Sequence, residues 1–102
     1  MRILVLDVPR EGVTFNDYTP YLLNETKQAW ATFKSDALRD IYFRQDRPGV
    51  VILLEADSVD AAREIMSHFP LKKAGLLDFE YIPFGNYTFW ENLFAEEHKQ
   101  PA

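Results

Sequence analysis

The sequence predicts an α+β subunit of four strands and two helices, and three observations carry that prediction. Short β-branched runs alternate with longer stretches of helical periodicity. Turn-forming residues separate the runs. Two of the strand-like runs are apolar on both faces, as interior strands are.

The first strand is Ile3 to Val8, rich in β-branched and aliphatic residues and stopped by Pro9. "REGVTFND" reads as a loop. A helix then starts at Thr19-Pro20, with Thr as cap and Pro at the first helical position. Its apolar stripe is Leu22, Thr26, Ala29, Trp30 and Phe33, at spacings of three and four. "ALRDIYFRQD", residues 37–46, alternates and forms the second strand. Asp46-Arg47-Pro48-Gly49 supplies a turn, and "VVILLEA", 50–56, a third strand.

Asp57 or Ser58 caps the second helix, whose stripe is Val59, Ala62, Ile65, Met66 and Phe69, and Pro70 ends it. A loop across Lys72-Lys73 follows, in which Gly75 takes a positive φ. "LLDFEYIPF" is the fourth strand, with Leu77, Phe79 and Tyr81 toward the helices and Asp78 and Glu80 on the other face. "TFWENLFAEEHK" forms a short C-terminal helix, whose aromatic stripe needs a subunit surface to dock on. This order describes a ferredoxin-like βαββαβ domain spanning 1–102, an antiparallel four-stranded sheet with both helices on one face. Ile3, Val5, Val51 and Leu53 alternate with Leu4, Leu6, Ile52 and Leu54, so the second face is apolar too. A second copy packing sheet against sheet covers it, which makes the expected assembly a homodimeric α/β barrel.

Composition narrows the function. The net charge of −5 and scattered Lys and Arg exclude a phosphate-binding surface, so no nucleic-acid partner is expected. Cysteine is absent, which removes disulfides and thiolate chemistry. The N-terminal apolar run is too short for a signal segment or a membrane span, and a soluble, cytoplasmic protein follows as the expectation. His68 and His98 stand apart without a third clustered ligand, so no metal site is expected, and no glycine-rich phosphate loop calls for a cofactor. His68 suits a helix C-terminus.

Carboxylates on strands are unusual, and Asp7, Asp40, Glu55, Asp78 and Glu80 all lie there. A tight hairpin at Asp46–Gly49 sets Asp40 opposite Glu55, and paired carboxylates share a proton and can serve as acid and base. A one-residue bulge instead pairs Arg39 with Glu55. The tight register is expected, because it gathers Ile41, Phe43, Ile52 and Leu54 on one face. Asp40 and Glu55 are accordingly the catalytic candidates. Trp30 and Tyr42 at the helix–sheet seam, with Arg39 and Arg44 to grip a carboxylate, are the substrate-binding candidates.

The run "LLEADSVDAAREIMSHFPLKKAGLLDFEYIPF" resembles the second half of the muconolactone isomerase-like group of dimeric ferredoxin-like barrels. The similarity lies in a strand ending in an acid, Glu55, then the Asp57-Ser58 cap, an alanine-rich helix, a Phe-Pro-Leu loop and the Asp78-to-Glu80 strand. Before the second strand the family has an acid, a small residue and a Trp-Arg pair. Here Ser35-Asp36-Ala37-Leu38-Arg39 stands there, with Arg39 matching. The resemblance implies a homodimer that isomerises a small acidic or lactone compound by moving a proton, without metal or organic cofactor. Two other classes stay open: a cofactor-free monooxygenase of the same superfamily, and a non-catalytic small-molecule-binding or stress-associated dimer.

Overall fold

The computed structural model describes residues 1–94. Four strands, β1 (Arg2–Pro9), β2 (Leu38–Phe43), β3 (Val50–Glu55) and β4 (Leu77–Phe84), form one antiparallel sheet in the order β2-β3-β1-β4. Both crossovers run through helices on the same face, which is the ferredoxin-like arrangement the element order predicts.

The first crossover differs from expectation at its start. The supposed loop contains a single helical turn, α1 (Phe15–Tyr18), entered by a reciprocal cap: the Asp17 carboxylate accepts from the Thr14 N–H at 2.7 Å. Thr19-Pro20-Tyr21 then forms a 3₁₀ turn leading into α2 (Leu22–Lys34). Pro20 occupies an early position where its missing N–H costs nothing. Asp36, at φ 69, turns the chain out of α2 into β2.

The second crossover begins with α3 (Val59–Met66), capped by Ser58, whose hydroxyl accepts from Ala61 N at 3.0 Å. Pro70 does not merely end a helix. It sits in the first turn of a second short one, α4 (Pro70–Lys73), after Phe69 adopts the extended conformation that a following proline demands. Gly75 has the expected positive φ, 75°.

Alternation sorts the strand side chains. Ile3, Val5, Ile52, Leu54, Leu77 and Phe79 point to the helices and join Ala62, Met66, Phe69 and Leu71 in the core. Leu4, Leu6, Val51 and Leu53 point the other way and stay half-exposed, with no helix over them.

The β2–β3 register corrects the tight hairpin. Asp40 faces Leu53, Ile41 faces Ile52, and Phe43 faces Val50, while a bulge between Leu38 and Asp40 takes up Arg39. Glu55 donates its N–H to Ala37 O at 2.8 Å and lies opposite Arg2 of β1, so neither Asp40 nor Arg39 is its partner. The cause is at the turn, which closes two residues earlier on the β2 side than expected, through Arg44 N to Gly49 O at 2.8 Å. Sliding a strand by two residues preserves its faces. Ile41, Phe43 and Ile52 therefore share a face despite the shift.

The α2 stripe is also rotated. Its inward residues are Leu22, Glu25, Gln28, Ala29 and Thr32, whereas Trp30 and Phe33 are 58% and 48% exposed and stack on each other at 5.5 Å. On the inner side Glu25 accepts from Leu71 N of the second crossover, and the Thr32 hydroxyl donates to Gln28 O of its own helix, so both polar groups are satisfied there. The C-terminal segment opens with a 3₁₀ turn, Thr88–Glu91, and Tyr87, Phe89, Trp90, Leu93 and Phe94 are exposed rather than docked on their own subunit. The remainder of the expected C-terminal helix, with His98, lies outside the described residues. No helix among the described residues is long and apolar enough to cross a membrane.

Candidate active site

Between α1–α2 and the helix-facing side of the sheet lies a cleft of about 460 Å³. Ile52, Leu77 and Phe79 form its floor, Phe69 and Leu71 one end, and Leu22 and Ala29 the helix wall. Pro48 and Gly49 of the β2–β3 turn close the other end, and the exposed rings of Phe15 and Phe43 flank the mouth. Sequence accounts for the hollow. The inner face of α2 carries small or polar groups here, Glu25 and Ala29, opposite the branched Val50 and Ile52 of β3, so the layers meet without filling the space.

Few polar groups reach this cleft. Asp7, only 3% exposed, continues the inward parity of Ile3 and Val5. Its carboxylate accepts from Arg47 Nη1 at 3.0 Å and from Val50 N at 3.1 Å, while Arg47 Nη2 donates to the Asp7 carbonyl at 2.7 Å. A buried charge is tolerated when paired and hydrogen-bonded in this way. The arrangement pins the β2–β3 turn across the end of β1. Gly49 is required there: a Cβ would come within 2.5 Å of the Asp7 carboxylate.

Glu25 is the other carboxylate. One oxygen accepts from Leu71 N at 3.0 Å, at the start of α4. Burial against the apolar walls pushes its pKa above the ordinary value, and the Leu71 bond opposes that only in part. Burial also raises Tyr18, helped by the Asp7 charge, so its phenol keeps its proton at neutral pH. Thr26 adds a further polar group; its hydroxyl donates to Leu22 O at 2.9 Å, leaving its oxygen to accept.

The sequence-derived candidates do not converge on one site. Glu55 and Asp40 lie on the open face of the sheet, away from the cleft. The Met1 ammonium bonds Glu55 at 2.8 Å and holds its carboxyl below the usual range. Asp40 raises the neighbouring Tyr42 phenol instead. Tyr42, on the edge strand, also lines the cleft. Arg39 is the exposed bulge residue, and Trp30 is on the outer side of α2. Arg44 is 20% exposed and clamps Asp46 with two bonds, 2.9 and 2.7 Å, holding that carboxyl down at about 2.

Glu25 and Tyr18 escaped the sequence reading, although Glu25 carried a signal: it stands three after Leu22 and four before Ala29, on the inner stripe. His68 pairs with Glu64 at 3.5 Å on the surface. Among the described residues no three His, Asp or Glu side chains converge as a metal site.

Solved structures match this architecture. A 5-chloro-2-hydroxyhydroquinone dehydrochlorinase from Burkholderia phenoliruptrix AC1100, in complex with 2,5-dihydroxybenzoquinone, superposes with a TM-score of 0.70 and 15% identity, over 86% of this chain and 97% of that one. Muconolactone isomerase superposes with a TM-score of 0.66 and 16% identity, over 85% of this chain and 91% of that one. No protein-family model and no curated protein sequence matches. With its sheet order, paired crossovers and near-complete superposition, the chain has the muconolactone isomerase-like, ferredoxin-type fold.

Proposed function

We propose that the chain is the subunit of a cofactor-independent small-molecule enzyme that shifts a proton within a ligand held in the helix–sheet cleft. The observation that carries this reading is Glu25, a half-buried carboxylate, raised in pKa, in an apolar cleft whose lining also includes a protonated phenol, Tyr18. A base poised nearer neutrality both takes and returns a proton well. Glu25 takes a proton from an acidic carbon of the ligand. The carbon–hydrogen electron pair moves into the conjugated system, and the Tyr18 hydroxyl donates a hydrogen bond to the oxygen on which charge gathers. Glu25 then returns the proton to a different carbon, so no oxidant or reductant is consumed. The names of the two structural neighbours, a dehydrochlorinase of a hydroxyhydroquinone and a muconolactone isomerase, support small oxygenated rings as the substrate class.

The working assembly in this reading is a homodimer joined through the open face of the sheet. Leu4, Leu6, Val51 and Leu53 are half-exposed there, and Ile82 is 39% exposed. An aliphatic layer of this kind matches the inner faces of packed sheets. Asp40 and Glu55, projecting to that side, then belong to the barrel between subunits.

Glu25→Gln tests the assignment, because the amide oxygen still accepts the Leu71 N–H. Incubation with unsaturated lactones and hydroxylated quinones in heavy water reads proton transfer as deuterium incorporation. The variant should lose about 10²–10⁴-fold in rate, the usual contribution of a general base, while keeping its fold. Unchanged exchange in the variant would remove Glu25 from the mechanism. Tight binding without exchange in the parent protein would favour the non-catalytic binder.

A further inference from the structure

We infer that the cleft selects an uncharged, hydroxyl-bearing aromatic ligand and rejects a carboxylate. The inference rests on the cleft being the functional site, and it departs from the acidic substrate that the sequence resemblance implies.

Charge is the first ground. Among the described residues, none that lines the cleft is Lys, Arg or His, and two are carboxylates, Asp7 and Glu25. The nearest guanidinium groups are committed. Arg47 is spent on the Asp7 carboxylate, the Asp7 carbonyl and Pro48 O at 3.0, 2.7 and 3.0 Å. Arg44 is spent on Asp46 at 2.9 and 2.7 Å and lies 4.0 Å from Asp7. An anion entering the cleft therefore meets Glu25, a like charge in a poorly solvated place, with no cation among the described cleft residues to offset it. The grip on a carboxylate by Arg39 and Arg44 expected from sequence is not available to the cleft, since Arg39 is exposed at the bulge and Arg44 is clamped.

The remaining polar inventory is the second ground. Glu25 has lone pairs beyond its bond to Leu71, and the Thr26 oxygen can accept because its own hydrogen goes to Leu22 O. Tyr18 adds a hydroxyl whose proton is retained. With the Tyr42 phenol engaged by Asp40, two acceptors and the Tyr18 donor in one lining complement a ligand hydroxyl with a neighbouring oxygen, as in a phenol or a hydroxylated carbonyl ring. The walls supply the rest: Phe69 and Phe79 inside and Phe15 and Phe43 at the mouth offer ring faces for stacking. An ammonium ligand would reach Glu25 and the Thr26 oxygen, but its third donor would face these apolar walls and its charge would be poorly solvated there. The volume of about 460 Å³ lies within the range of ordinary small-ligand sites.

Three probes of one shape and different charge decide the matter: 2-naphthol, 2-naphthoate and 2-naphthylmethylammonium, titrated near neutral pH into the isotope-labelled protein and followed by amide shifts. The expected result is saturable shifts at Leu22, Val50 and Phe79 with 2-naphthol, at a dissociation constant at least about tenfold below either ion, a difference of about 1.4 kcal/mol. A smaller ratio, or preference for either ion at those same amides, overturns the selectivity and leaves the cleft as the site. Failure of all three probes to move cleft amides at millimolar concentration overturns both the selectivity and the cleft as the place of binding.

Discussion

On the helix side of the sheet Ile3, Val5, Ile52 and Leu54 are at most 2% exposed, whereas their strand neighbours Leu4, Leu6, Val51 and Leu53 on the other side remain half-exposed. The two sets are chemically alike. What separates them is the cover: α2, α3 and α4 lie over one face, and the described residues provide no helix for the other. The helix side is also imperfectly filled, and its hollow holds Glu25 and Tyr18. Burial by a chain's own helices thus leaves a cleft between unlike layers, while aliphatic faces of matched shape can meet without one. In the proposed reading, that contrast separates a ligand-binding side from an assembly side.

The largest expected effect comes from emptying the covered side. Phe69 is 1% exposed and closes one end of the cleft. Phe69→Ala should cost about 3–5 kcal/mol of subunit stability, from lost transfer energy and the cavity left behind. Denaturant unfolding measures it; a loss under about 1 kcal/mol would mean the α3–α4 junction is not part of the core. Next comes the open side. Val51→Lys should leave the subunit's circular dichroism intact but weaken the proposed dimer by roughly 3 kcal/mol, because each interface would bury unpaired charge. Sedimentation reads this directly. Unfolding of the subunit, in place of dissociation, would reverse the assignment of faces.

How much of this contrast the residues alone reveal can be traced element by element. The strands were legible because their apolar runs are bounded by Pro9, by the Arg47-Pro48-Gly49 turn and by Ser58, each with a physical role that the structure retains. The register was not, because Gly49 and the Asp7–Arg47 contact, 40 residues apart in sequence, decide where the turn closes. α1 escaped because its four residues bury nothing fully and rest on one Thr14–Asp17 cap. The α2 stripe misled because hydrophobicity favours Trp30 and Phe33, and periodicity cannot tell an aromatic needed outside from one needed inside. The candidate site suffered most: Glu25 drew no reading despite its place on the inner stripe, because its partner, the Leu71 N–H, comes from a helix 46 residues away in sequence.

Smaller effects sharpen the contrast through pH. Glu25 is raised by burial, so the folded state holds that proton more tightly than the unfolded chain does. Its contribution to stability is full below the ordinary value of 4.5 and is lost as pH rises through the raised folded value. Glu25→Gln, permanently neutral, should match or exceed the parent at neutral pH by on the order of 1 kcal/mol or less, the figure being discounted for partial exposure. The gap should close toward acid pH. Paired thermal melts across that range check it, and a variant less stable than the parent at neutral pH would mean the charge is compensated in the folded cleft.

Asp78 gives the opposite sign at the rim of the open face. Lys72 Nζ lies 3.0 Å from its carboxylate, which also accepts from Phe79 N at 2.8 Å, and the Lys72 bond chiefly lowers its pKa below the ordinary 3.8. Stability from this group is therefore present above 3.8 and is lost as pH falls through the lowered folded value. The side chain is 50% exposed, so Asp78→Asn should cost about 1 kcal/mol or less at neutral pH, and the difference should shrink in acid. The same variant also tests where the assembly surface ends. Because Asp78 is already neutralised within its own subunit by Lys72, the substitution should change subunit melting while leaving dimer dissociation within about threefold, the small effect expected of a polar rim. A larger shift in dissociation would extend the interface past the aliphatic layer of Leu4, Leu6, Val51 and Leu53 to the end of β4 that carries Asp78, and would make the Lys72–Asp78 pair part of the subunit contact.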